Sequence, residues 1–138
     1  MVNSVAVLLD TSFIIALALE EDSDHLYAVA LNNQLKTGRF GATFYTDYII
    51  NEVLTLLRRK KVNKENIKQL ADILFMKKRQ LLLSNDDIVQ NAITIFFQYK
   101  RLSFVDASSI AYARMYKISK IYSFDTDFDG VEGIERIH

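Results

Sequence analysis

The chain has 138 residues, 50% of them apolar and 25% charged, and its 17 basic and 17 acidic side chains cancel to zero net charge. At roughly 150 residues per domain this reads as one domain, residues 1–138, long enough to bury a core, with neither the low hydrophobicity nor the high net charge of a disordered chain. Cysteine is absent and the histidines are His25 and His138, which excludes a disulfide framework, a thiolate zinc site, a thiol nucleophile and an internal histidine pair for acid–base work.

In chain order, Val5 to Leu9 is a short apolar run closed by Asp10, and reads as a strand buried on both faces. Residues 1–19 lack a basic start and a small-residue cleavage site. Asp10 divides them into pieces far shorter than the ~20 residues that span a bilayer, so a soluble, cytoplasmic protein without membrane contact is expected. Ser12 is placed to cap a helix through Phe13, Ile14, Leu17 and Leu19, and a second helix runs from about Asp24 to Lys36 and stops near Gly38. Ala42 to Tyr45 is the next strand. Thr46 or Asp47 then caps a helix whose apolar stripe is Ile49, Ile50, Val53, Leu54 and Leu57.

Asn63 opens a further helix with Ile67, Leu70, Ile73 and Leu74 on one side. Leu81 to Leu83 reads as a strand, and Ser84 with Asp86 and Asp87 starts a helix that ends near Lys100. Ser103 opens the helix that ends near Lys117. Ile121 to Phe124 is a strand running into Asp125, and Ile134 to Ile137 a final edge strand. Strands alternating with helices imply an α/β fold, a mostly parallel sheet with helices on both faces. The four glycines, at positions 38, 41, 130 and 133, cannot build a phosphate-cradling loop. Carboxylates, hydroxyls and cations are left to carry chemistry.

Charge is unevenly distributed: −4 over residues 1–50, +6 over 51–101 and −2 over 102–138. The positive segment contains Arg58-Arg59-Lys60-Lys61, Lys77-Lys78-Arg79 and Lys100-Arg101, each at a predicted helix end. Two readings stand here: a phosphate-binding face, or cations that offset the helix dipole and exposed carbonyls.

Two of the buried-type strands end in the same way, Val5–Leu9 in Asp10 and Ile121–Phe124 in Asp125. In an open α/β sheet ligands bind outside the carboxyl ends of the strands, so two aspartates there share one edge of the sheet. For either one alone, capping of the next helix is the simpler reading. Glu52 sits at the border of an apolar stripe, between Tyr48 and Leu56, where a surface glutamate covering apolar atoms is the competing reading. Asp106 completes the capping box Ser103-Phe104-Val105-Asp106, yet its helical row continues through Ile110 and Ala113 and faces inward. If all four converge, each pair about 4 Å apart repels by roughly 4 kcal/mol at an effective dielectric of 20. A divalent cation is the natural counter-charge, and an all-oxygen shell suits Mg²⁺ or Mn²⁺ and not Zn²⁺. Such an ion supports hydrolytic phosphoryl transfer.

Leu8-Leu9-Asp10-Thr11-Ser12-Phe13, Thr46-Asp47-Tyr48 through Glu52 to Leu57, Leu102-Ser103-Phe104-Val105-Asp106-Ala107 and Ser123-Phe124-Asp125-Thr126-Asp127-Phe128 occur in that order. Over almost the whole chain this resembles the PIN-domain family, close to the VapC-like toxin ribonucleases. The resemblance implies a three-layer α/β/α sandwich and a Mg²⁺- or Mn²⁺-dependent endoribonuclease. It implies that Asp10, Glu52, Asp106 and Asp125 gather around the metal, with Asp10 and Asp106 as main ligands. Hydroxyls of Thr11 or Ser12 and of Ser123, which stands where many members carry Thr, would support the aspartates. Asp127 is a candidate extra acid, because some members have one there, and Asp129 reads as a turn residue. A water carried by the metal would attack the phosphorus in line, leaving a 5′-phosphate and a 3′-hydroxyl. Arg58, Arg59, Lys60 and Lys61 would hold the RNA backbone.

A haloacid-dehalogenase-type phosphatase would need a second aspartate where Ser12 stands, and a receiver domain would need an early acidic pair and a late lysine that the chain lacks. A non-toxin RNA-processing nuclease and a catalytically silent PIN-like binding module remain as alternatives, the second weakened because all four acids are present. The resemblance further implies a homodimer and, for a toxin, a small antitoxin covering the acidic cleft.

Overall fold

The computed structural model describes residues 6–38, 41–76 and 80–138; Val5 of the first expected strand and the Lys77-Lys78-Arg79 cluster lie outside them. The elements follow as β1 (Ala6–Leu9), α1 (Thr11–Ala18), α2 (His25–Lys36), β2 (Ala42–Thr46), α3 (Asp47–Arg59) and α4 (Lys64–Met76). After them come β3 (Leu81–Leu82), α5 (Asp86–Gln98), α6 (Phe104–Met115), β4 (Lys120–Tyr122) and β5 (Glu135–Ile137).

The strands form one sheet in the order β3-β2-β1-β4-β5, and every pairing is parallel. β1 is central, and its apolar residues Val7 and Leu8 are fully buried on opposite faces. The two-residue period of the strands divides the core in two. Val7, Tyr45 and Tyr122 pack with Phe13, Ile14, Ala28, Ile49, Val53 and Leu74, under α1 to α4. Leu8 and Ile121 pack with Ile88, Ala92, Ile95, Ala107 and Ile110, under α5 and α6. The result is the expected three-layer α/β/α sandwich.

Several local boundaries differ from expectation. Ser12 does not cap α1: the N-cap position is Asp10, and Ser12 lies in the first helical turn with its hydroxyl accepting from Phe124 N–H at 2.9 Å. Asn85, not Ser84, caps α5 by accepting from Ile88 N–H. β4 stops at Tyr122, with Ser123 N–H still donating to the Ile137 carbonyl of β5 at 3.2 Å and the chain turning away towards Asp125. Leu83 is exposed, outside the two-residue β3.

The α3 terminus shows why one basic cluster exists. Lys61 N–H donates to the Arg58 carbonyl at 3.0 Å and Val62 N–H to the Leu57 carbonyl at 3.1 Å, with Lys61 in the left-handed region (φ 58°). This Schellman turn satisfies the orphan carbonyls of the helix and gives Lys60 and Lys61 a helix-ending position.

Asp47, in the first turn of α3, ties three elements together. Its carboxylate accepts from the Ser84 N–H at 3.0 Å, the Ser84 hydroxyl at 2.7 Å, the Tyr48 N–H at 3.0 Å and the Tyr112 hydroxyl. Burial pushes its pKa up, but these bonds outweigh it and hold the carboxyl below its ordinary value. Asp47→Ala leaves the Tyr112 hydroxyl and the Ser84 donors without their acceptor, and is expected to cost about 2–3 kcal/mol of unfolding free energy, measured by urea denaturation.

Candidate active site

β1 and β4 are neighbours at the point where the strand order reverses, and their carboxyl ends open into a cleft of about 210 Å³. Asp10, Glu52, Asp106 and Asp125 all line it, together with Thr11 and Ser12. The four acids expected from the sequence are therefore brought together from four separate stretches of chain.

Asp10 immediately follows β1, and its N–H donates to the Tyr122 carbonyl at 3.0 Å, stitching the two strand ends. Its side chain is 3% exposed. Oδ2 accepts from the Ser123 hydroxyl at 2.6 Å and the Ser12 hydroxyl at 3.1 Å, while the Asp125 N–H donates to the Ser123 hydroxyl at 3.0 Å. The hydroxyls of Ser12 and Ser123 thus lock one oxygen of Asp10 and both chain segments at once. The other oxygen, Oδ1, is buried without a hydrogen-bond partner, as is the hydroxyl of Thr11. Burial raises the Asp10 pKa to about 6, against the bonds from Ser123, the Thr11 backbone and Ser12, with Glu52 adding repulsion.

Asp106 keeps both of its sequence-level roles. Ser103 and Asp106 form a reciprocal capping box at the start of α6: Asp106 N–H donates to the Ser103 hydroxyl at 3.1 Å and Ser103 N–H to Asp106 Oδ2 at 3.2 Å. Burial first, and then the charge of Asp10, push its pKa to about 7, with Asp125 contributing and Ser103 opposing. Asp125 accepts the Asp127 N–H at 2.9 Å and so opens a single 3-10 turn, Thr126–Phe128. One oxygen from each of Asp106, Asp125 and Asp127 lies within 4.8 Å of the others, which brings Asp127 into the cluster. Among the described residues no lysine or arginine forms an ion pair with Asp10, Glu52, Asp106 or Asp125.

Asp22 and Asp24 also line the cleft, from the link between α1 and α2. Sequence reasoning gave them no part. The available signal was the acidic run Glu20-Glu21-Asp22-Ser23-Asp24 directly after the short helix that Asp10 opens.

The basic residues separate. Arg59 lines a groove with Asn51, Glu52, Thr55, Leu56 and Val105 that shares Glu52 and Leu56 with the cleft. Lys60 and Lys61 face a different depression, beside Glu20 and Glu21, and Arg58 borders a third that it shares with Arg59, Lys64 and Lys68. Arg101 is spent on main-chain carbonyls of Asp127 and Asp129.

A family model of the PIN domain matches residues 7–134. A VapC ribonuclease of Archaeoglobus fulgidus is 28% identical over 127 residues, covering 90% of this chain and 80% of the relative. Among solved structures, VapC20 of Mycobacterium tuberculosis, described as a sarcin-ricin loop cleaving toxin, superposes with a TM-score of 0.75 at 25% identity, covering 91% of this chain and 95% of that one. FitAcB from Neisseria gonorrhoeae shares the fold, with a TM-score of 0.69 at 14% identity and 96% coverage of both chains. A toxin–antitoxin complex from Klebsiella pneumoniae does so at 0.66 and 18%, covering 94% of this chain and 95% of the other.

Because Asp10 and Asp106 hold protons more tightly in the folded protein than in an unfolded chain, the folded state carries more protons between about pH 4 and 7. Stability of the metal-free protein therefore falls as pH rises through that range. For Asp10 the rise from 3.8 to about 6 corresponds to about 3 kcal/mol. In EDTA the thermal midpoint is expected to drop by about 10 °C from pH 4 to pH 8, and saturating Mn²⁺ to remove most of that drop. A flat profile in EDTA would contradict the site's electrostatics.

Proposed function

The chain belongs to the PIN-domain family, and on that premise we propose that it is a divalent-metal-dependent endoribonuclease, the toxin component of a type II toxin–antitoxin pair. The observation that carries the reading is one cleft lined by Asp10, Glu52, Asp106 and Asp125, none of them in an ion pair among the described residues, around a buried Asp10 oxygen without a hydrogen-bond partner among them.

The residues fit a hard divalent ion. Every donor is oxygen, one oxygen from each of Asp106, Asp125 and Asp127 lies within 4.8 Å of the others, and Asp10 Oδ1 is an acceptor that burial has cut off from solvent. Asp10 and Asp106 would hold Mg²⁺ or Mn²⁺, with Glu52, Asp125 and Asp127 completing the shell directly or through water. When bound, such an ion lowers the pKa of water and offsets charge on a phosphodiester. The chain's own residues do the rest. Ser12 and Ser123 fix Asp10 in one orientation, and the Ser103 cap fixes Asp106. Arg59, at the edge of the groove that adjoins Glu52, is the cation best placed to take a backbone phosphate of single-stranded or looped RNA. Of the four-residue basic cluster, Arg59 borders the groove that shares Glu52 with the cleft, Arg58 lines a neighbouring groove with Arg59, Lys64 and Lys68, and Lys60 and Lys61 end α3.

The toxin assignment is supported by the VapC ribonuclease relative and the toxin–antitoxin neighbours. It extends to a small antitoxin partner and to a homodimer. The exposed apolar side chains Phe75 and Met76 on α4 and Ile93 and Phe97 on α5 offer surface for such contacts. An RNA-processing nuclease would share the same cleft. It separates from a toxin on expression.

Purified protein is expected to cleave RNA with Mn²⁺ or Mg²⁺, not in EDTA, leaving 5′-phosphate ends. Asp10→Asn and Asp106→Asn should each lower the rate by ~100-fold or more. Expression without an antitoxin should arrest growth for the wild type and not for these variants; harmless expression of an active nuclease points to the processing role, and full-rate cleavage by both variants ends the proposal. For RNA affinity, Arg59→Ala should weaken binding and reduce the salt slope by about one, while Lys60→Ala leaves both unchanged.

A further inference from the structure

We propose that Arg101 is a positioning residue for the metal site, acting on the main chain that carries Asp125 and Asp127; the inference rests on the nuclease reading above and deepens it. Asp106 stands on α6, while Asp125 and Asp127 stand on the turn that follows β4, and one oxygen of each lies within 4.8 Å of the other two. Like charges at that spacing push the turn away from α6. The turn resists them through its short 3-10 helix, Thr126–Phe128, and through Phe128, which is fully buried in the core beneath α5 and α6, but neither fixes the main chain of Asp127 and Asp129 directly.

Arg101 lies in the link between α5 and α6, two residues before the Ser103 cap of Asp106. It reaches across to the turn, Nε donating to the Asp127 carbonyl at 2.9 Å and Nη2 to the Asp129 carbonyl at 2.5 Å. The planar fork spans two carbonyls two residues apart, which a single ammonium donor does not reproduce. Its guanidinium carbon lies 5.7 Å from the centroid of the Tyr99 ring, which steadies the head group.

On the other side Arg136 of β5 donates Nη1 to the Ser123 carbonyl at 3.2 Å, and its Nε and Nη2 to the Asp129 carboxylate at 2.8 and 3.1 Å. Both cations grip carbonyls and Asp129, and neither forms an ion pair with Asp125 or Asp127. The turn is held against α6 while the cluster's carboxylates stay available to a metal. Of the two, Arg101 is the one that sets the distance from Asp106, because it joins that turn to the segment that begins α6.

Charge and positioning predict opposite signs. Removing a cation from beside an acidic cluster should, on Coulomb grounds alone, tighten Mn²⁺ binding. Loss of positioning should weaken it. The test is calorimetric titration of Mn²⁺ into EDTA-stripped wild type, Arg101→Ala and Arg101→Lys, with circular dichroism and RNA kinetics alongside. Affinity is expected to fall about tenfold in Arg101→Ala, with Arg101→Lys nearer to it than to wild type. The kcat should fall while KM for RNA stays within about twofold. Unchanged or tighter Mn²⁺ binding overturns the proposal, as does a raised KM with unchanged kcat, which makes Arg101 an RNA contact. If Arg101→Ala loses its fold, Arg101→Lys carries the same comparison. Wild type that binds no Mn²⁺ overturns the nuclease reading together with this one; wild type that binds it while the variants match overturns this inference alone.

Discussion

Burial of carboxylates, reinforced by their mutual repulsion, is the constraint around which this protein is arranged. Asp10 and Asp106 are both buried, each feels the other acids of the cleft, and their pKa values rise to about 6 and about 7. A flexible chain would relax such a cluster by separation or by taking up protons. Here the acids are attached to elements that cannot separate without breaking the core. Asp10 continues the central strand, Asp106 is locked in a helix cap, and Asp125 is tied through the Ser123 hydroxyl to the same oxygen of Asp10 that Ser12 holds.

The sheet order explains why the cluster forms at this edge. The chain winds outward from β1 through β2 to β3, then returns to the other side of β1 to lay down β4 and β5. The crevice left between the two directions is flanked by the carboxyl ends of β1 and β4, and α3 and α6 supply Glu52 and Asp106 to its walls. Hydroxyl groups of modest size do the fine positioning. Cations, by contrast, are kept at the periphery: Arg101 and Arg136 bond to main-chain oxygens and Asp129, and Asp47 anchors Ser84 and Tyr112 away from the cleft. Among the described residues the four acids of the cleft therefore form no ion pair, although Arg136 is near enough to feel the charge of Asp125, an arrangement suited to a separately bound divalent ion.

Much of this was legible in the residues alone, for identifiable reasons. Apolar runs that stop at an aspartate, as at Leu9-Asp10, mark the end of a buried strand whatever surrounds them, and the Ser103–Asp106 spacing marks a helix start. Strand and helix periods depend on neighbours a few positions away, so the α/β alternation and the parallel sheet followed directly. Failures were local and had a common cause. Ser12 looks like a cap because a hydroxyl before an apolar helical run is usually one, but its oxygen is engaged by the Phe124 N–H, 112 positions away. Arg58 to Lys61 look like one basic patch because they are consecutive; on a helix end, consecutive residues point in different directions, and only Arg59 borders the groove next to Glu52.

By itself, then, the sequence determined the layer architecture, the identity of the four acids and the exclusion of thiol, histidine-pair and glycine-loop chemistry, all of which depend on residue type and short-range spacing. Only the tertiary structure decided that Asp127, Asp22 and Asp24 join the acidic surroundings, which oxygen of Asp10 is without a hydrogen-bond partner among the described residues, and that Arg101 donates to the carbonyls of Asp127 and Asp129. Those outcomes depend on hydrogen bonds and charge pairs between residues far apart in the chain, whose distances are set by how the sheet and helices pack and leave no local trace.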